Sequence, residues 1–233
     1  EILIGLVGSE MCIRDSLLGI RPVTAPDEFT EIVEVIVEES EIEEGYVKII
    51  VTRGSDDHNF TIPARSALQP NVLVYGKPID LNAIEKVQSG VNCITLDDDR
   101  GHHCDILSLN QLNNMMARAE AQKKNCYDAV FIKDGLLTEA SHSNVCIVKA
   151  GVIWTPATNE HMIRGVTRSL VLTRAAPSAG VTSIDEASEP VRFEDMMTAE
   201  EVFLTNSQDG IIPVLSIDGN PIGGGKAGDV TQK

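Results

Sequence analysis

The residues whose types and spacing point most directly to chemistry are Gly165, Val166 and Thr167, at the predicted start of a helix. The first turn of a helix leaves backbone N–H groups without partners, and the helix dipole favours negative charge there. The hydroxyl of Thr167 adds a further donor. Such a helix start can bind a phosphate group, but the same residues also form an ordinary helix cap. The pattern alone leaves both interpretations open.

Other polar groupings are weaker candidates. Ser141, His142 and Ser143 combine nucleophile and base types, but sequence neighbours rarely face one another, so they do not support a hydrolase triad. The four residues from His102 to Asp105 are metal-ligand types. Adjacent strand residues face opposite sides, so they are interpreted as a loop and no metal site is predicted. The run that ends in Lys226 lacks the Ser or Thr of a phosphate-binding P-loop and is interpreted as a turn.

Four motifs occur in an order that resembles the pyridoxal phosphate (PLP)-dependent class IV aminotransferases, of fold-type IV. The resemblance is strongest to the D-amino-acid (D-alanine) and branched-chain aminotransferases, and it covers most of the chain after Gly45. The motifs are Cys104-Asp-Ile-Leu-Ser-Leu-Asn110, Asp134-Gly-Leu-Leu-Thr-Glu139-Ala-Ser-His-Ser-Asn144, Ile163-Arg-Gly-Val-Thr-Arg168 and Glu201-Val-Phe-Leu-Thr-Asn-Ser207.

The resemblance implies cofactor-binding roles for residues in these motifs. Glu139 would lie beside the pyridine nitrogen of PLP and keep it protonated, so that the ring acts as an electron sink. Ile163 would pack against the cofactor ring. The remaining implied cofactor-binding residues, several of them phosphate donors, are Ser143, Asn144, Gly165, Val166, Thr167, Asn206 and Ser207.

Leu107 occupies the position where the family keeps its catalytic Schiff-base lysine. That amine anchors the cofactor and moves the substrate's α-proton, and a leucine side chain can do neither. Amino-group transfer between a D-amino or branched-chain amino acid and a 2-oxo acid is therefore expected to be impaired. Two alternatives remain: a non-catalytic pseudoenzyme that binds PLP or another phosphorylated ligand noncovalently, and an aminodeoxychorismate lyase-like enzyme, which also needs the lysine.

His58 is the implied substrate residue, since D-amino-acid aminotransferases hold the substrate carboxylate with an arginine and a histidine in this region. Acidic Asp56 stands near the arginine position and would repel an anionic substrate. The resemblance also implies a homodimer. Compared with the family pattern, the opening strands and the final helix are missing, so the chain is expected to be truncated.

The elements that must position these residues follow from hydrophobic periodicity. Helices are predicted from residue 26 to before residue 45, over 109–124, and from 163 to a break at Pro177. Asp134-Gly135 and Ala150-Gly151 predict tight turns, so the middle of the chain is expected to form antiparallel hairpins rather than a doubly wound sheet. The predicted strands cover residues 46–52, 71–75, 91–96, 129–133, 145–148, 152–155, 201–205 and 214–217.

The resulting fold class is α/β (α+β), with a small N-terminal domain and a larger, β-rich, pseudo-barrel C-terminal domain. Residues 1–16 are interpreted as a non-native leader, because the run from Gly5 to Asp15 resembles translated sequencing-adapter DNA. Residues 17–80 would be a partial small domain and 81–233 the PLP-binding domain. The turn formers at 76–80 are the candidate connection.

Composition narrows the partners and the compartment. A formal net charge of −16 disfavours nucleic acid and anionic membranes, and no apolar run is long enough to span a bilayer. The five cysteines are widely spaced without a CxxC pair, which favours a reducing cytoplasm over a disulfide framework. The expected partners are small molecules: an amino acid, a 2-oxo acid and PLP.

Overall fold

The computed structural model describes residues 14–20, 26–55, 68–184 and 190–233. His58 and Asp56 lie outside the described residues. The chain divides into two compact units, residues 1–81 and 82–233. The domain division drawn from the sequence, after Asp80, remains a proposal.

The first unit contains one helix and a two-stranded antiparallel sheet. Helix α1 spans Pro26–Ser40, and strands β1 (Gly45–Thr52) and β2 (Asn71–Pro78) pair along their full lengths, from Gly45 opposite Pro78 to Thr52 opposite Asn71. The predicted end of the second strand, at residue 75, was therefore wrong by three residues. The turn formers Gly76 and Pro78 are tolerated because they extend a two-stranded ribbon near its end.

The second unit is built on one nine-stranded mixed sheet. Its strands are β3 (Val91–Asp97), β4 (Asp128–Lys133), β5 (Leu136–Ala140), β6 (Asn144–Lys149), β7 (Val152–Trp154), β8 (Thr182–Ile184), β9 (Glu201–Asn206), β10 (Gly210–Ile217) and β11 (Asn220–Pro221). Their order is β5-β4-β3-β10-β9-β6-β7-β8, and β11 pairs with β10. The pairs β3–β4, β3–β10 and β7–β8 are parallel, and the other pairs are antiparallel.

Two predicted hairpins in this sheet are confirmed. Asp134 and Gly135 join β4 to β5 with φ of 51° and 77°, and Ala150 and Gly151 join β6 to β7 with φ of 51° and 71°. Positive φ at both central residues is the type I′ geometry that matches strand twist. The predicted antiparallel hairpins are present at these two turns. The sheet also contains parallel pairs, which were not predicted and which join strands far apart in sequence.

Helices connect the strands of the second unit. They are α2 (Leu81–Gln88), α3 (Leu112–Lys123), α4 (Val166–Leu170), a π-helical turn (Val171–Ala175), α5 (Ala176–Ser178) and α6 (Phe193–Met197). Helix α2 was not predicted, and α3 begins three residues later than expected. The continuous run from α4 to α5 begins at Val166, three residues after the predicted start at Ile163, and ends at Ser178, one residue beyond the break predicted at Pro177.

The apolar core of this unit lies on the sheet. A main cluster that includes Val145, Leu204 and Ile212 is almost fully buried, and a second cluster packs the helical run 166–178 against Cys146 and Phe203. Continuously buried strands such as β6 and β9 occupy the middle of the sheet. Among the described residues, no helix is both long and apolar enough to cross a membrane.

Candidate active site

Glu139 is the buried acid at the centre of the candidate site. It lies on β5, whose pairing with β4 shifts register between Val130 and Ile132, and such bulges re-aim side chains. The residue is 4% exposed. Its Oε1 accepts a hydrogen bond from Arg100 Nη1 at 2.5 Å, and its Oε2 accepts from the Ile163 N–H at 3.0 Å and from Asn144 Nδ2 at 3.4 Å. A carboxylate has about four acceptor positions, so one remains for a further donor.

Arg100 holds this acid in place. Its guanidinium donates to both oxygens of Asp98 at 2.8 and 2.9 Å, and its Cζ lies 4.2 Å from the centre of the Phe131 ring. Thr138 Oγ1 also donates to Asp98, at 2.9 Å. The side chains of Arg100 and Asp98 are only 4% and 1% exposed. The result is a buried group of two carboxylates and one guanidinium, each fixed by several hydrogen bonds.

The charges in this group are tuned by burial and by each other. Burial raises the pKa of Glu139 to about 7, although the charge and hydrogen bond of Arg100 act to lower it. Burial also acts to raise the pKa of Asp98, but the hydrogen bonds and charge of Arg100 outweigh it, so that pKa lies below its usual value. A carboxylate with an open acceptor position can accept a hydrogen bond from a protonated ring nitrogen. Glu139 therefore suits the role that the sequence predicted.

Asn144 connects this acid to the predicted phosphate turn. Its Nδ2 donates to the Ile163 carbonyl at 2.7 Å, and its Oδ1 accepts from the Gly165 N–H at 3.1 Å. A Cβ added at Gly165 would lie 2.0 Å from Asn144 Oδ1, so only glycine fits the turn. The side chain of Asn144 thus fixes the backbone immediately before helix α4.

Helix α4 begins at Val166, with extended backbone at Gly165. The N–H groups of its first turn have no earlier helical carbonyl to bond, which is the arrangement that binds phosphate. Beside it, Thr205 is directly opposite Asn144 in the β6–β9 pairing, so their side chains share one face of the sheet. Thr205 is 2% exposed, and its Oγ1 has no hydrogen-bond partner among the described residues. This buried hydroxyl is therefore a candidate donor to a ligand at the helix start.

Ser143 and Asn206 lie in a separate polar network. Asn206 Nδ2 donates to Ser143 Oγ at 3.2 Å and to Tyr127 Oη at 3.3 Å, and its Oδ1 accepts the N–H groups of Gln208 and Asp209. Ser143 Oγ also donates to Asp128 at 3.4 Å. The amide of Asn206 is thus engaged by protein groups, and the contacts of Ser143 and Asn206 give no support to their predicted cofactor roles.

Leu107 is half-buried in loop 98–111 between β3 and α3. The same loop carries Asp98 and Arg100, which bond or pair with the acid group around Glu139, so Leu107, the predicted lysine position, and Arg100 belong to one connection. Ser207 is exposed just beyond β9. The structure therefore joins Glu139, Asn144, Ile163 and Gly165 by hydrogen bonds, and gives no such contact for Leu107 or Ser207.

Sequence reasoning missed Arg100, Asp98 and Thr205. Asp98 and Arg100 could have been suspected, because an acid and an arginine two residues apart directly follow a predicted strand. Thr205 was next to the predicted Asn206, and strand alternation would have marked the two as facing opposite sides. The buried acid, the glycine turn and the unpaired hydroxyl are of the chemical types that the ring nitrogen and phosphate of PLP would need.

Comparison with known proteins agrees with this geometry. The family model described as Amino-transferase class IV matches residues 13–217. A D-alanine aminotransferase from Bacillus licheniformis is 36% identical over 197 residues, which cover 84% of this chain and 67% of the relative.

Solved structures share the fold. A T.th. branched-chain amino acid aminotransferase complexed with N-(5'-phosphopyridoxyl)-L-glutamate has a TM-score of 0.80 at 22% identity, over 97% of this chain and 74% of that one. A candidate 4-amino-4-deoxychorismate lyase from Legionella pneumophila has a TM-score of 0.81 at 18% identity, over 94% of this chain and 79% of that one. At these identities the likeness concerns the fold alone.

Proposed function

This chain belongs to the class IV aminotransferase family, and from that premise we propose that its second unit binds PLP and is built for amino-group transfer from a D-amino or branched-chain amino acid to a 2-oxo acid. We further propose that Leu107 leaves this transfer impaired. The observation that carries the cofactor assignment is the buried Glu139, held by Arg100 and left with one acceptor position.

The residues that would hold PLP come from the buried acid and the glycine turn. Glu139 would accept from the ring nitrogen, the first turn of α4 and the hydroxyl of Thr205 would bind the phosphate, and Ile163 would lie along the ring. When bound, PLP supplies an electron sink for the bond changes at the substrate's α-carbon. The protein's part is to fix the acid and the helix start, which Arg100 and Asn144 do through the bonds described above.

Leu107 limits what these residues can achieve. Its hydrocarbon side chain can neither bond covalently to the cofactor nor take and return a proton. Two other lysines are already engaged elsewhere: Lys149 is paired with Asp195 at 2.6 Å and Lys123 with Glu120 at 2.5 Å. Noncovalent PLP binding without turnover is therefore the second candidate function, and Leu107 is the observation that favours it.

Among substrates, a D-amino acid is favoured over a branched-chain one. The 36% identity to a D-alanine aminotransferase extends over most of the chain, whereas the branched-chain and lyase structures share the fold at lower identity. A lyase function would need the same missing lysine. We propose a cytoplasmic location on the cysteine pattern.

A homodimer is supported by an exposed apolar patch at the start of α3, which we call the α3 patch. Its residues are Leu109, Leu112, Met115 and Met116, each between 61% and 69% exposed. Contiguous apolar side chains on a surface mark interaction sites. A second copy of this chain is the partner that the family resemblance implies.

The test compares this chain with Leu107→Lys and with Asn110→Lys, which adds a lysine at an exposed position of the same loop. Each protein is mixed with PLP and gel filtered, and its visible absorbance and its transamination of D-alanine with 2-oxoglutarate are measured. We expect only Leu107→Lys to retain a visible band and to gain activity. The proposed site is refuted if Leu107→Lys behaves like the control variant. The proposed impairment is refuted if the unaltered chain transaminates at the rate of Leu107→Lys.

A further inference from the structure

Two loops of the second unit bring two histidines and a glutamate together at the surface. His102 lies in loop 98–111, and Glu160 and His161 lie in the connection between β7 and α4. One ligand atom from each of the three lies within 4.8 Å of the others. The Glu160 carboxylate oxygen Oε1 is 3.1 Å from His102 Nδ1 and 3.7 Å from His161 Nε2. We call this group the two-loop cluster.

The spacing of these atoms suits one small divalent ion. Zinc binds imidazole nitrogen and carboxylate oxygen at about 2.0–2.2 Å in tetrahedral geometry, which places neighbouring ligand atoms roughly 3.4 Å apart. The two distances to Glu160 Oε1 lie on either side of this value. The third distance, between the two histidines, is within 4.8 Å, so an ion bound by all three residues would draw their exposed side chains together.

The ring of His161 is already oriented for a ligand role. Its Nδ1 lies 3.2 Å from the Gly101 carbonyl oxygen, which can only accept, so Nδ1 carries the hydrogen. In the tautomer with its hydrogen on Nδ1, the lone pair is on Nε2, which lies 3.7 Å from Glu160 Oε1. Metal-binding histidines characteristically donate their other N–H to a carbonyl or carboxylate in this way.

We propose that His102, Glu160 and His161 form a binding site for a divalent transition-metal ion of the zinc type. Two imidazoles and one carboxylate select such ions over Mg²⁺ and Ca²⁺, which prefer oxygen ligands. The fourth position faces solvent, since the side chains of His102 and Glu160 are 71% and 52% exposed. The formal charge of −16 further favours a cation.

No metal site was predicted from the sequence, so this proposal differs from that prediction. That prediction considered His102 only with its neighbours up to Asp105, which the structure does not bring together. Glu160 and His161 are 58 and 59 residues away, and only the packing of the two loops reveals them. No spacing motif joins the three ligands.

A bound ion would fix two functional loops to each other. Next to the two-loop cluster, the Cys104 N–H donates to the Glu160 carbonyl at 2.8 Å, and Arg100 Nη2 donates to the His161 carbonyl at 2.8 Å. One loop carries Arg100 and Leu107, and the other leads into Ile163 and Gly165. Metal binding at the surface would therefore stabilise the backbone that holds Glu139, whether or not PLP is bound.

The test is equilibrium binding of ZnCl₂ to the whole chain, with MgCl₂ as the comparison ion. We expect one Zn²⁺ per chain, affinity at least about tenfold lower in His102→Ala and in Glu160→Gln, and no measurable Mg²⁺ binding. The matched control is His103→Asn, because His103 is adjacent but outside the cluster, and asparagine tolerates its φ of 65°. The first two side chains are largely exposed, so unfolding curves equal to those of the unaltered chain will show that the variants fold.

The site is refuted if zinc does not saturate one position, or if His102→Ala and Glu160→Gln bind as tightly as the unaltered chain. Loss of binding only in Cys104→Ser would refute it as well, because that thiol would then be the ligand. The second readout is hydrogen exchange of the Cys104 amide, which zinc should slow by about tenfold if it clamps the loops. Unchanged exchange with zinc bound would overturn the clamp.

Discussion

Replacing Arg100 by methionine tests whether the buried ion group holds the candidate site together. The change keeps most of the apolar stem but removes the cationic partner of Asp98 and Glu139, whose side chains are 1% and 6% exposed. Breaking a buried ion pair by removing one partner costs about 3–5 kcal/mol, because the remaining charge stays buried. We expect a loss of this size in the free energy of unfolding at pH 8.

The loss should depend on pH with a definite sign. In the unaltered chain the pKa of Asp98 is depressed, so its stabilising contribution is present above the unfolded pKa and disappears as pH falls through the folded pKa. The pKa of Glu139 is raised to about 7, so the free energy of unfolding falls as pH rises through that value and the buried carboxyl becomes charged. This fall should be larger in Arg100→Met, because the charged carboxylate then has no cationic partner. The penalty of Arg100→Met should therefore be larger at pH 8 than at pH 5.

Urea unfolding followed by tryptophan fluorescence measures this penalty in the second unit, because Trp154 on β7 is the chain's one tryptophan. The buffer contains a chelator, so that metal bound at the two-loop cluster does not contribute. The control is Arg174→Met, at an exposed position, where we expect a change within about 0.5 kcal/mol. A penalty below about 1 kcal/mol at pH 8, or one that does not shrink towards pH 5, would refute the argument from buried charge.

Two further predictions concern the ligand and the partner. Thr205→Val removes an unpaired buried hydroxyl, so the chain without PLP should be as stable or about 1 kcal/mol more stable, while thermal stabilisation by added PLP should fall. The control is Thr138→Val, which should destabilise the chain because the Thr138 hydroxyl is hydrogen-bonded. If PLP stabilises Thr205→Val as much as the unaltered chain, the Thr205 hydroxyl does not belong to the site. Glutamates at Met115 and Met116 should convert a dimer to monomers in sedimentation velocity, and a monomeric unaltered chain would contradict the proposed dimer.

The sequence predicted best where local rules act alone. Asp134-Gly135 and Ala150-Gly151 specify type I′ turns by residue type, and the β-branched run of β6 specifies a buried strand. It failed where distant contacts decide. The parallel pairs β3–β4 and β3–β10 join strands far apart in sequence, which a local pattern does not show.

The candidate site shows the same division. Glu139 and Gly165 were predicted because the family motifs contain them, and the structure joins them through Asn144. Arg100 lies in a loop 39 residues before Glu139, which is on a strand. The residues around each of them do not indicate that these two side chains bond to each other. Long-range ion pairs of this kind depend on how the sheet packs two connections together, and that packing is absent from any single sequence window.

The contacts around Glu139 also explain how the family motifs can persist if Leu107 replaces the catalytic lysine, as proposed. Arg100, Asn144 and the Ile163 N–H all bond the acid within the protein itself, so each has a structural role that does not require a cofactor. Losing any of them would leave a buried charge or polar group unsatisfied, at a cost of about 1–5 kcal/mol. The lysine position lies in a loop, half-buried, and leucine there leaves no polar group of its own without a partner. Under the proposed loss of catalysis, selection for stability alone would retain the acid, its arginine and the glycine turn. The unpaired hydroxyl of Thr205, by contrast, would be retained only if a ligand still binds beside it.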